Sequence, residues 1–247
     1  MAKWLQINPG LDRAKLAEQF ARTGRVQVPD VLTADSAADV RELLRSGTPW
    51  LLTWSAGAEG PHTIRPNELA TMRPEEMSAV ERKIIHAALC DEFCYVYSNY
   101  PLDIAYQQRW NPGSAHEQLL EELRGEDFVS LLRDISGHEE IVSADGYATL
   151  YGPGNFLSRH DDMGAKWRRV VAYVLNLTFV EWSPEFGGYL TFYDENGDVE
   201  QAFRPRFNTL NLFSVPQMHA VTRVAPFAPH ARAAISGWAR DTVQPPR

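Results

Sequence analysis

The chain has 247 residues, of which 44% are hydrophobic and 23% charged, a balance typical of globular proteins and not of disordered chains. Its 24 Lys and Arg residues against 32 Asp and Glu residues give a formal net charge of −8, which argues against general nucleic-acid binding. The longest apolar run, residues 170–180, is shorter than the roughly 20 residues that cross a bilayer, so no membrane partner is expected. With no secretion signal at the N-terminus, we expect a cytoplasmic protein in which Cys90 and Cys94 are reduced thiols.

Helical spacing dominates the first 139 residues. Apolar residues recur every three or four positions in the first predicted helix, and helices are predicted over residues 11–20, 33–45, 77–99 and within 114–136. Short strands are predicted at 26–29 and 50–54, and the Gly- and Pro-containing segment 57–61 is predicted as a loop. We expect this region to brace a β-core and not to form a domain of its own.

The periodicity becomes strand-like after residue 140. Eight short strands are predicted, at 140–144, 147–151, 169–178, 189–193, 200–203, 209–213, 220–223 and 231–239. Asn196-Gly197 between two of them is a strong hairpin signal. The expected fold class is therefore α+β, mainly β: a jelly-roll core over residues 140–240 and a mainly helical bracing region over 1–139, in one domain that spans 1–247.

One histidine has a carboxylate at strand spacing. His160 and Asp162 are two residues apart, and on an extended backbone such residues project from the same face. A second histidine from another strand would complete a facial triad, which leaves open positions on a non-haem Fe(II). His219 lies just before a predicted strand and is the candidate for that position. A rival His-x-Glu at His138 follows a predicted helix and is interpreted as a solvated loop.

The surroundings of this pair carry a family resemblance. Residues 151–162, Tyr-Gly-Pro-Gly-Asn-Phe-Leu-Ser-Arg-His-Asp-Asp, resemble the Y-x-x-G-[DN]-F-L-x-x-H-x-D signature of the prolyl-hydroxylase-like branch of the Fe(II)/2-oxoglutarate dioxygenases. The match continues in order with Gly-Gly-Tyr-Leu at 187–190, the strand at 207–213, His-Ala-Val at 219–221 and Arg-Ala-Ala-Ile-Ser-Gly-Trp at 232–238. The resemblance covers roughly residues 140–240 and extends more weakly into the N-terminal region.

The resemblance implies a fold, a metal and a reaction. The family fold is a double-stranded β-helix, a cupin-like jelly roll flanked by helices. His160, Asp162 and His219 would be the catalytic metal ligands for Fe(II), with 2-oxoglutarate and O2 as co-substrates and ascorbate as a reductant. Asp162 also favours hydroxylation, because family members that halogenate lack this acid.

The resemblance further implies a binding site for 2-oxoglutarate. Arg232 matches the arginine that pairs with the far carboxylate of this co-substrate, where a planar guanidinium supplies a bidentate partner. Tyr151 and Ser236 match positions that help to hold it. Relatives often have a tyrosine where this chain has Asn176, whose amide could still donate a hydrogen bond, although with shorter reach.

The function expected from the resemblance is an oxidoreductase that hydroxylates an amino-acid residue, foremost a prolyl residue, in a protein or peptide while 2-oxoglutarate is decarboxylated to succinate and CO2. One alternative is the same chemistry on a free amino acid or small metabolite. Another is a non-catalytic, cupin-like metal-binding module, which would have no need for the cation at Arg232. Arg168 and Arg169 are interpreted as a solvated pair at a strand start or, alternatively, as groups that steer an acidic substrate.

Overall fold

The computed structural model describes residues 3–163 and 168–242. Its α-helices are α1 (Arg13–Thr23), α2 (Ala34–Glu42), α3 (Pro66–Thr71), α4 (Pro74–Leu89), α5 (Leu102–Gln107), α6 (Ala115–Leu123) and α7 (Glu126–Ser136). Its strands are β1 (Arg25–Pro29), β2 (Leu51–Ala56), β3 (Glu59–Ile64), β4 (Cys94–Tyr100), β5 (Ser143–Ala144), β6 (Tyr147–Tyr151), β7 (Phe156–His160), β8 (Arg169–Asn176), β9 (Leu190–Tyr193), β10 (Val199–Phe203), β11 (Thr209–Ser214), β12 (His219–Val221) and β13 (Arg232–Arg240). None of the helices in these two ranges combines the length and the apolar composition needed to cross a bilayer.

The strands form one continuous antiparallel sheet that rolls into a barrel. Its order is β1-β11-β8-β13-β6-β4-β7-β12-β9-β10, with β2 and β3 beside β4 and with β5 beside β13. Side chains of β6, β8, β11 and β13, the large layer, face those of β7, β9 and β12, the small layer, across one small cavity. This is the double-stranded β-helix that the sequence predicts, and the predicted hairpin at Asn196-Gly197 joins β9 to β10.

Most of the helices pack on the outer face of the large layer, whereas α4 contacts β2 and β4. Helix α7 contacts α1 and β11, and it buries five apolar side chains at helical spacing: Phe128, Val129, Leu131, Leu132 and Ile135. They join one core cluster that extends from Leu5 to Ala239 and includes apolar residues of β1, β8, β11 and β13. The bracing region and the barrel thus share a hydrophobic core, although the proposed division of the chain at residue 139 stays a prediction.

One predicted helix is wrong in its second half. The helix expected over 77–99 ends at Leu89, and β4 begins at Cys94. Asp91 lies between them with φ 55°, in the left-handed region that interrupts a helix. Residues Tyr95, Val96 and Tyr97 have high strand propensity, and β4 is held by pairing with β2, β6 and β7.

Besides β4, two further strands were not predicted, β3 and β7. β3 includes part of the segment expected to be a loop, with Gly60 and Pro61 in its centre. It pairs only with β2, and an edge strand tolerates a proline that cannot donate to a neighbour. β7 covers the last five residues before Asp161, where the sequence shows no clear alternation of polar and apolar residues.

A buried asparagine ties the N-terminal segment to the barrel. Asn208 precedes β11, is 5% exposed and has φ 53°. Its Oδ1 accepts a hydrogen bond from the backbone N–H of Leu32 at 3.0 Å, and its Nδ2 donates to the carbonyl of the same residue at 2.8 Å. One side chain therefore satisfies both backbone groups of a buried leucine that follows β1.

Replacement of Asn208 by alanine should lower the free energy of unfolding by about 2–6 kcal/mol. The substitution leaves two buried backbone groups unpaired, and each such group costs about 1–3 kcal/mol. Chemical denaturation of the two proteins measures the difference. Asn67→Ala, on the exposed surface of α3, is the control and should change stability by less than about 0.5 kcal/mol. Equal stability of Asn208→Ala and the unmodified protein would contradict this role.

Candidate metal centre and anion site

Strand pairing brings together two histidines that are far apart in the sequence. His160 is the last residue of β7 and His219 the first of β12, and the two are directly paired in the antiparallel register. Their ring centroids lie 4.1 Å apart. Asp162 follows two residues after the end of β7 and points between the two rings.

The three side chains form a compact set of potential metal ligands. Nε2 of His160 lies 3.5 Å from Oδ1 of Asp162, and Nε2 of His219 lies 3.5 Å from its Oδ2. The potential ligand atoms all lie within 4.8 Å of one another. Asp162 and His219 are buried, whereas His160 keeps a partly exposed edge. Two imidazoles and one carboxylate are the donor set of non-haem Fe(II) sites with open positions.

Backbone carbonyls orient both rings. Nδ1 of His160 is 2.9 Å from the carbonyl of Ser158, and Nδ1 of His219 is 2.7 Å from that of Gln217. Because a carbonyl can only accept, each Nδ1 donates, which makes Nε2 the nitrogen with the lone pair in the neutral form of the ring. Burial, followed by the neighbouring His160, lowers the pKa of His219 to about 4, so that its ring is neutral at physiological pH. Acceptor atoms from three side chains thus face one another. A cation bound between them would relieve their mutual repulsion.

The backbone at Asp162 differs from the expected extended conformation. Its φ is 65°, in the left-handed region, and the residue lies outside β7. From the sequence, His160 and Asp162 are expected to converge because residues two apart share one face of a strand. The structure does not support this reason, since Asp162 is not in a strand. The carboxylate is instead held by Trp238, whose Nε1 donates to Oδ2 at 2.9 Å, and by Arg169, whose Nη1 lies 3.4 Å from Oδ1.

Arg169 is not a solvated residue, contrary to the interpretation from sequence. Its Nη1 donates to the carbonyl of Asp162 at 2.9 Å, and its guanidinium lies 3.6 Å from the centroid of the Trp238 ring. Arg168, by contrast, is exposed and pairs with Asp241 at 3.2 Å. The sequence indicated a functional role for Trp238 only through its place in the motif at 232–238. It gave no indication of such a role for Arg169.

A buried guanidinium lies in the same cavity. Arg232 is 2% exposed at the start of β13, and burial lowers its pKa. Within the residues that the structure describes, its Nε has no hydrogen-bond partner and no carboxylate pairs with it. Since a buried charge without a counter-ion is costly, this position is suited to an anionic ligand.

Asn176 contacts this guanidinium and not the open cavity. Its Oδ1 accepts from Nη2 of Arg232 at 3.3 Å. Its Nδ2 donates to the carbonyls of Thr209 at 3.1 Å and Val174 at 3.3 Å, so both amide hydrogens are used. In this arrangement Asn176 orients Arg232, and the expected direct contact of Asn176 with a co-substrate stays a prediction.

The remaining candidates have different surroundings. Tyr151 lines the cavity, stacks on Tyr97 with ring centroids 4.7 Å apart, and has a pKa raised above its ordinary value by burial. Ser236 lines the same cavity. His138 is partly exposed, pairs with Glu140 at 3.1 Å, and does not belong to the cluster of ligand atoms.

Comparison with known proteins places this barrel in context. Residues 147–240 match the family model of the 2OG-Fe(II) oxygenase superfamily. A prolyl-4-hydroxylase from Pseudomonas putida is similar over 94% of this chain and 100% of its own, with 20% identity and a TM-score of 0.57. A prolyl hydroxylase from Trichoplax adhaerens, solved with a peptide fragment of the hypoxia inducible factor oxygen degradation domain, is similar over 93% of this chain and 89% of its own, with 16% identity and a TM-score of 0.59.

Another similar structure has a different named activity. SnoN, a non-heme alpha ketoglutarate dependent epimerase from nogalamycin biosynthesis, is similar over 93% of this chain and 82% of its own, with 14% identity and a TM-score of 0.56. No curated protein sequence matches the chain. At these identities the solved structures establish the fold alone.

Replacement of His219 by alanine should weaken binding of a divalent transition metal by at least about 100-fold. The loss of a direct ligand should exceed the roughly 10–100-fold that the loss of an outer hydrogen-bond partner costs. Titration of the metal-free protein with Co(II), against a competing chelator, measures the affinity. His138→Ala is the matched control and should bind Co(II) like the unmodified protein; equal affinities in all three proteins would show that the metal binds elsewhere.

Proposed function

We propose that this chain, whose residues 147–240 match the family model of the 2OG-Fe(II) oxygenase superfamily, hydroxylates an amino-acid residue, specifically a prolyl residue, in a protein or peptide. Its class is that of an Fe(II)/2-oxoglutarate-dependent dioxygenase, which argues against the non-catalytic metal-binding module. In the proposal His160, Asp162 and His219 bind Fe(II), and Arg232 binds the far carboxylate of 2-oxoglutarate. The observation that carries the proposal is the buried guanidinium of Arg232, whose Nε has no hydrogen-bond partner among the described residues, in the cavity that His160, Asp162 and His219 line.

The donor set fits the metal. Two imidazoles supply nitrogen ligands, one carboxylate offsets part of a divalent charge, and this three-residue set leaves positions free for co-substrates. Bound Fe(II) supplies the redox chemistry that couples decarboxylation of 2-oxoglutarate and consumption of O2 to substrate hydroxylation, with ascorbate as the reductant that maintains Fe(II).

The chain itself binds, orients and excludes water. Alternate positions of β13 present Arg232, Ser236 and Trp238 to the cavity, so the guanidinium proposed to bind the anion and the indole that contacts Asp162 come from the same strand. Asn176 fixes the guanidinium from behind, while Tyr151 covers it with its ring, centred 5.3 Å from the guanidinium carbon. Apolar walls, among them Leu157, Leu190, Phe213 and Val221, keep the cavity dry, which strengthens the ion pair to a carboxylate.

An open groove supports a polypeptide substrate. It lies between α4 and the β7–β12 pair and has a volume of about 870 Å³. Phe93 lines the groove, and its ring centroid is 5.5 Å from that of His160. Leu157 and Val221 line both the groove and the metal cavity, so the groove borders the proposed site of reaction.

The groove wall is apolar and accessible. Ile85, Leu89, Phe93 and Met218 are between 41% and 82% exposed, and contiguous exposed apolar side chains are typical of binding surfaces. A small metabolite would be held in a closed pocket, whereas an extended peptide needs an open surface on which to lie. The prolyl hydroxylases among the similar structures, one of them solved with a peptide, add support for a prolyl peptide. A cytoplasmic location is part of the proposal and agrees with the exposed free thiol of Cys90.

An anaerobic titration tests the co-substrate site. The protein with Fe(II) should develop a weak visible charge-transfer band when 2-oxoglutarate is added. In Arg232→Met the concentration of 2-oxoglutarate that gives half of the band should rise roughly 10- to 150-fold, because a hydrogen bond to a charged group contributes about 1.5–3 kcal/mol. Arg223→Met, an exposed arginine that lies over Phe156, is the control and should titrate like the unmodified protein.

Two outcomes would contradict this scheme. If the intact protein shows no band, the oxygenase assignment of the site fails. If the band forms in Arg232→Met at the same concentration as in the intact protein, the anion is bound by another residue, and only the assignment of Arg232 fails.

The groove predicts a substrate preference. Succinate release should exceed the uncoupled rate with synthetic prolyl peptides that carry large apolar residues beside the proline, and it should not do so with free L-proline. Leu89→Asp should raise the half-saturating peptide concentration by about 10- to 150-fold, since burial of a leucine side chain contributes about 1.5–3 kcal/mol. Leu69→Asp, in α3 and outside the groove, should leave it unchanged. Turnover of free proline without turnover of any peptide would support the metabolite alternative instead.

A further inference from the structure

We propose that Arg169 and Trp238 are positioning residues, which together hold the carboxylate of Asp162 in the orientation that binds the metal. This inference rests on the proposed function, because it assigns Asp162 as a metal ligand. Both residues lie in the large layer, whereas the two histidines of the site lie in the small layer. We refer to Arg169 and Trp238 as the carboxylate clamp.

The clamp contacts Asp162 at three atoms. Nε1 of Trp238 donates to Oδ2 at 2.9 Å. Nη1 of Arg169 donates to the backbone carbonyl of Asp162 at 2.9 Å and approaches Oδ1 at 3.4 Å. The two clamp residues also support each other, since the guanidinium lies 3.6 Å from the centroid of the indole ring.

Asp162 needs such support more than the two histidines do. His160 and His219 are fixed by strand pairing and by hydrogen bonds from Nδ1 to carbonyls. Asp162 lies beyond the end of β7, and its φ of 65° is a conformation that costs an L-residue roughly 1–2 kcal/mol. The bond from Arg169 fixes the peptide carbonyl of this residue, and the bond from Trp238 fixes its side chain.

The clamp is anchored in regular structure. Trp238 lies in β13, where its backbone N–H donates to Oδ1 of Asp145 at 2.8 Å. Arg169 is the first residue of β8, which pairs with β13 along its length. Neighbouring strands of one sheet thus present the two side chains, and rigid elements hold a ligand more accurately than a loop does. Partners of this kind typically change metal affinity by about 10–100-fold when they are removed.

Metal binding by the chain without co-substrate tests the clamp. Trp238→Phe keeps the ring and removes the N–H, while Arg169→Met keeps much of the side-chain length and removes the guanidinium. Each variant should bind Co(II) roughly 10- to 100-fold more weakly than the unmodified protein and shift its visible Co(II) bands. Arg169→Lys should recover part of the affinity, because it restores a donor and a charge without the planar stacking surface.

Two matched variants separate positioning from general damage. Trp182→Phe removes a buried indole N–H that donates to the carbonyl of Gly187 at 2.8 Å, and Arg168→Met removes the neighbouring but exposed arginine. Both should keep the affinity for Co(II) and the visible bands of the unmodified protein. Thermal unfolding of each metal-free variant identifies any variant that does not fold. If Trp238→Phe does not fold, the Co(II) affinity of Arg169→Met decides whether the clamp exists.

The outcomes distinguish the clamp from the site itself. Wild-type affinity and unchanged bands in Arg169→Met and Trp238→Phe would overturn the clamp and leave the proposed function intact. An equal loss of affinity in Trp182→Phe or Arg168→Met would overturn it as well, because the effect would then not be specific to the contacts with Asp162. If the unmodified protein binds no Co(II), the metal centre and with it the proposed function fail.

Discussion

The antiparallel pairing of β7 with β12 is the constraint on which the candidate site depends. It places His160 directly opposite His219, although 58 residues of chain separate them. Between them the chain passes to the large layer at β8, returns to the small layer at β9, and does the same again at β11 and β12, which is the connectivity of a jelly roll. A shift of the β7–β12 register by one residue would turn one imidazole to the outer face of the sheet. The strand register thus brings the two histidines together, and only in this register can their side chains form a common site.

The charge of the chain and the charge of the site have opposite signs. With a net charge of −8 the surface repels anions, yet the proposed co-substrate is a dianion. Exposed charges are screened over about 8–10 Å in salt, whereas a guanidinium inside an apolar barrel is not. One buried arginine, which has no carboxylate partner in the described residues, therefore gives the cavity a local preference for anions. Asn176 preserves this preference because a neutral amide orients Arg232 without neutralising it.

The sequence predicted the barrel well, since most of its strands carry their own alternation and turn residues. It failed at β4, where strand-forming residues directly follow a strongly helical segment and the strand state depends on pairing with β2 and β6. Asp162 was selected as a ligand candidate for a reason that the structure does not support, because the residue lies outside the strand with φ 65°. Arg169 was misread for a related reason: its partners, Trp238 and the carbonyl of Asp162, are tertiary contacts that no local charge pattern predicts.

The two layers contribute different parts of the proposed site. The small layer supplies both imidazoles, which are fixed by strand pairing and by hydrogen bonds from Nδ1 to backbone carbonyls. The large layer supplies the anion-binding guanidinium and the clamp, all from β13 and the start of β8. Asp162 belongs to neither layer, since it follows the last residue of β7 and reaches a donor on β13. The position of the Asp162 carboxylate therefore depends on the separation of the two layers. A change in barrel packing that moves β13 relative to β7 displaces this carboxylate before it displaces either histidine.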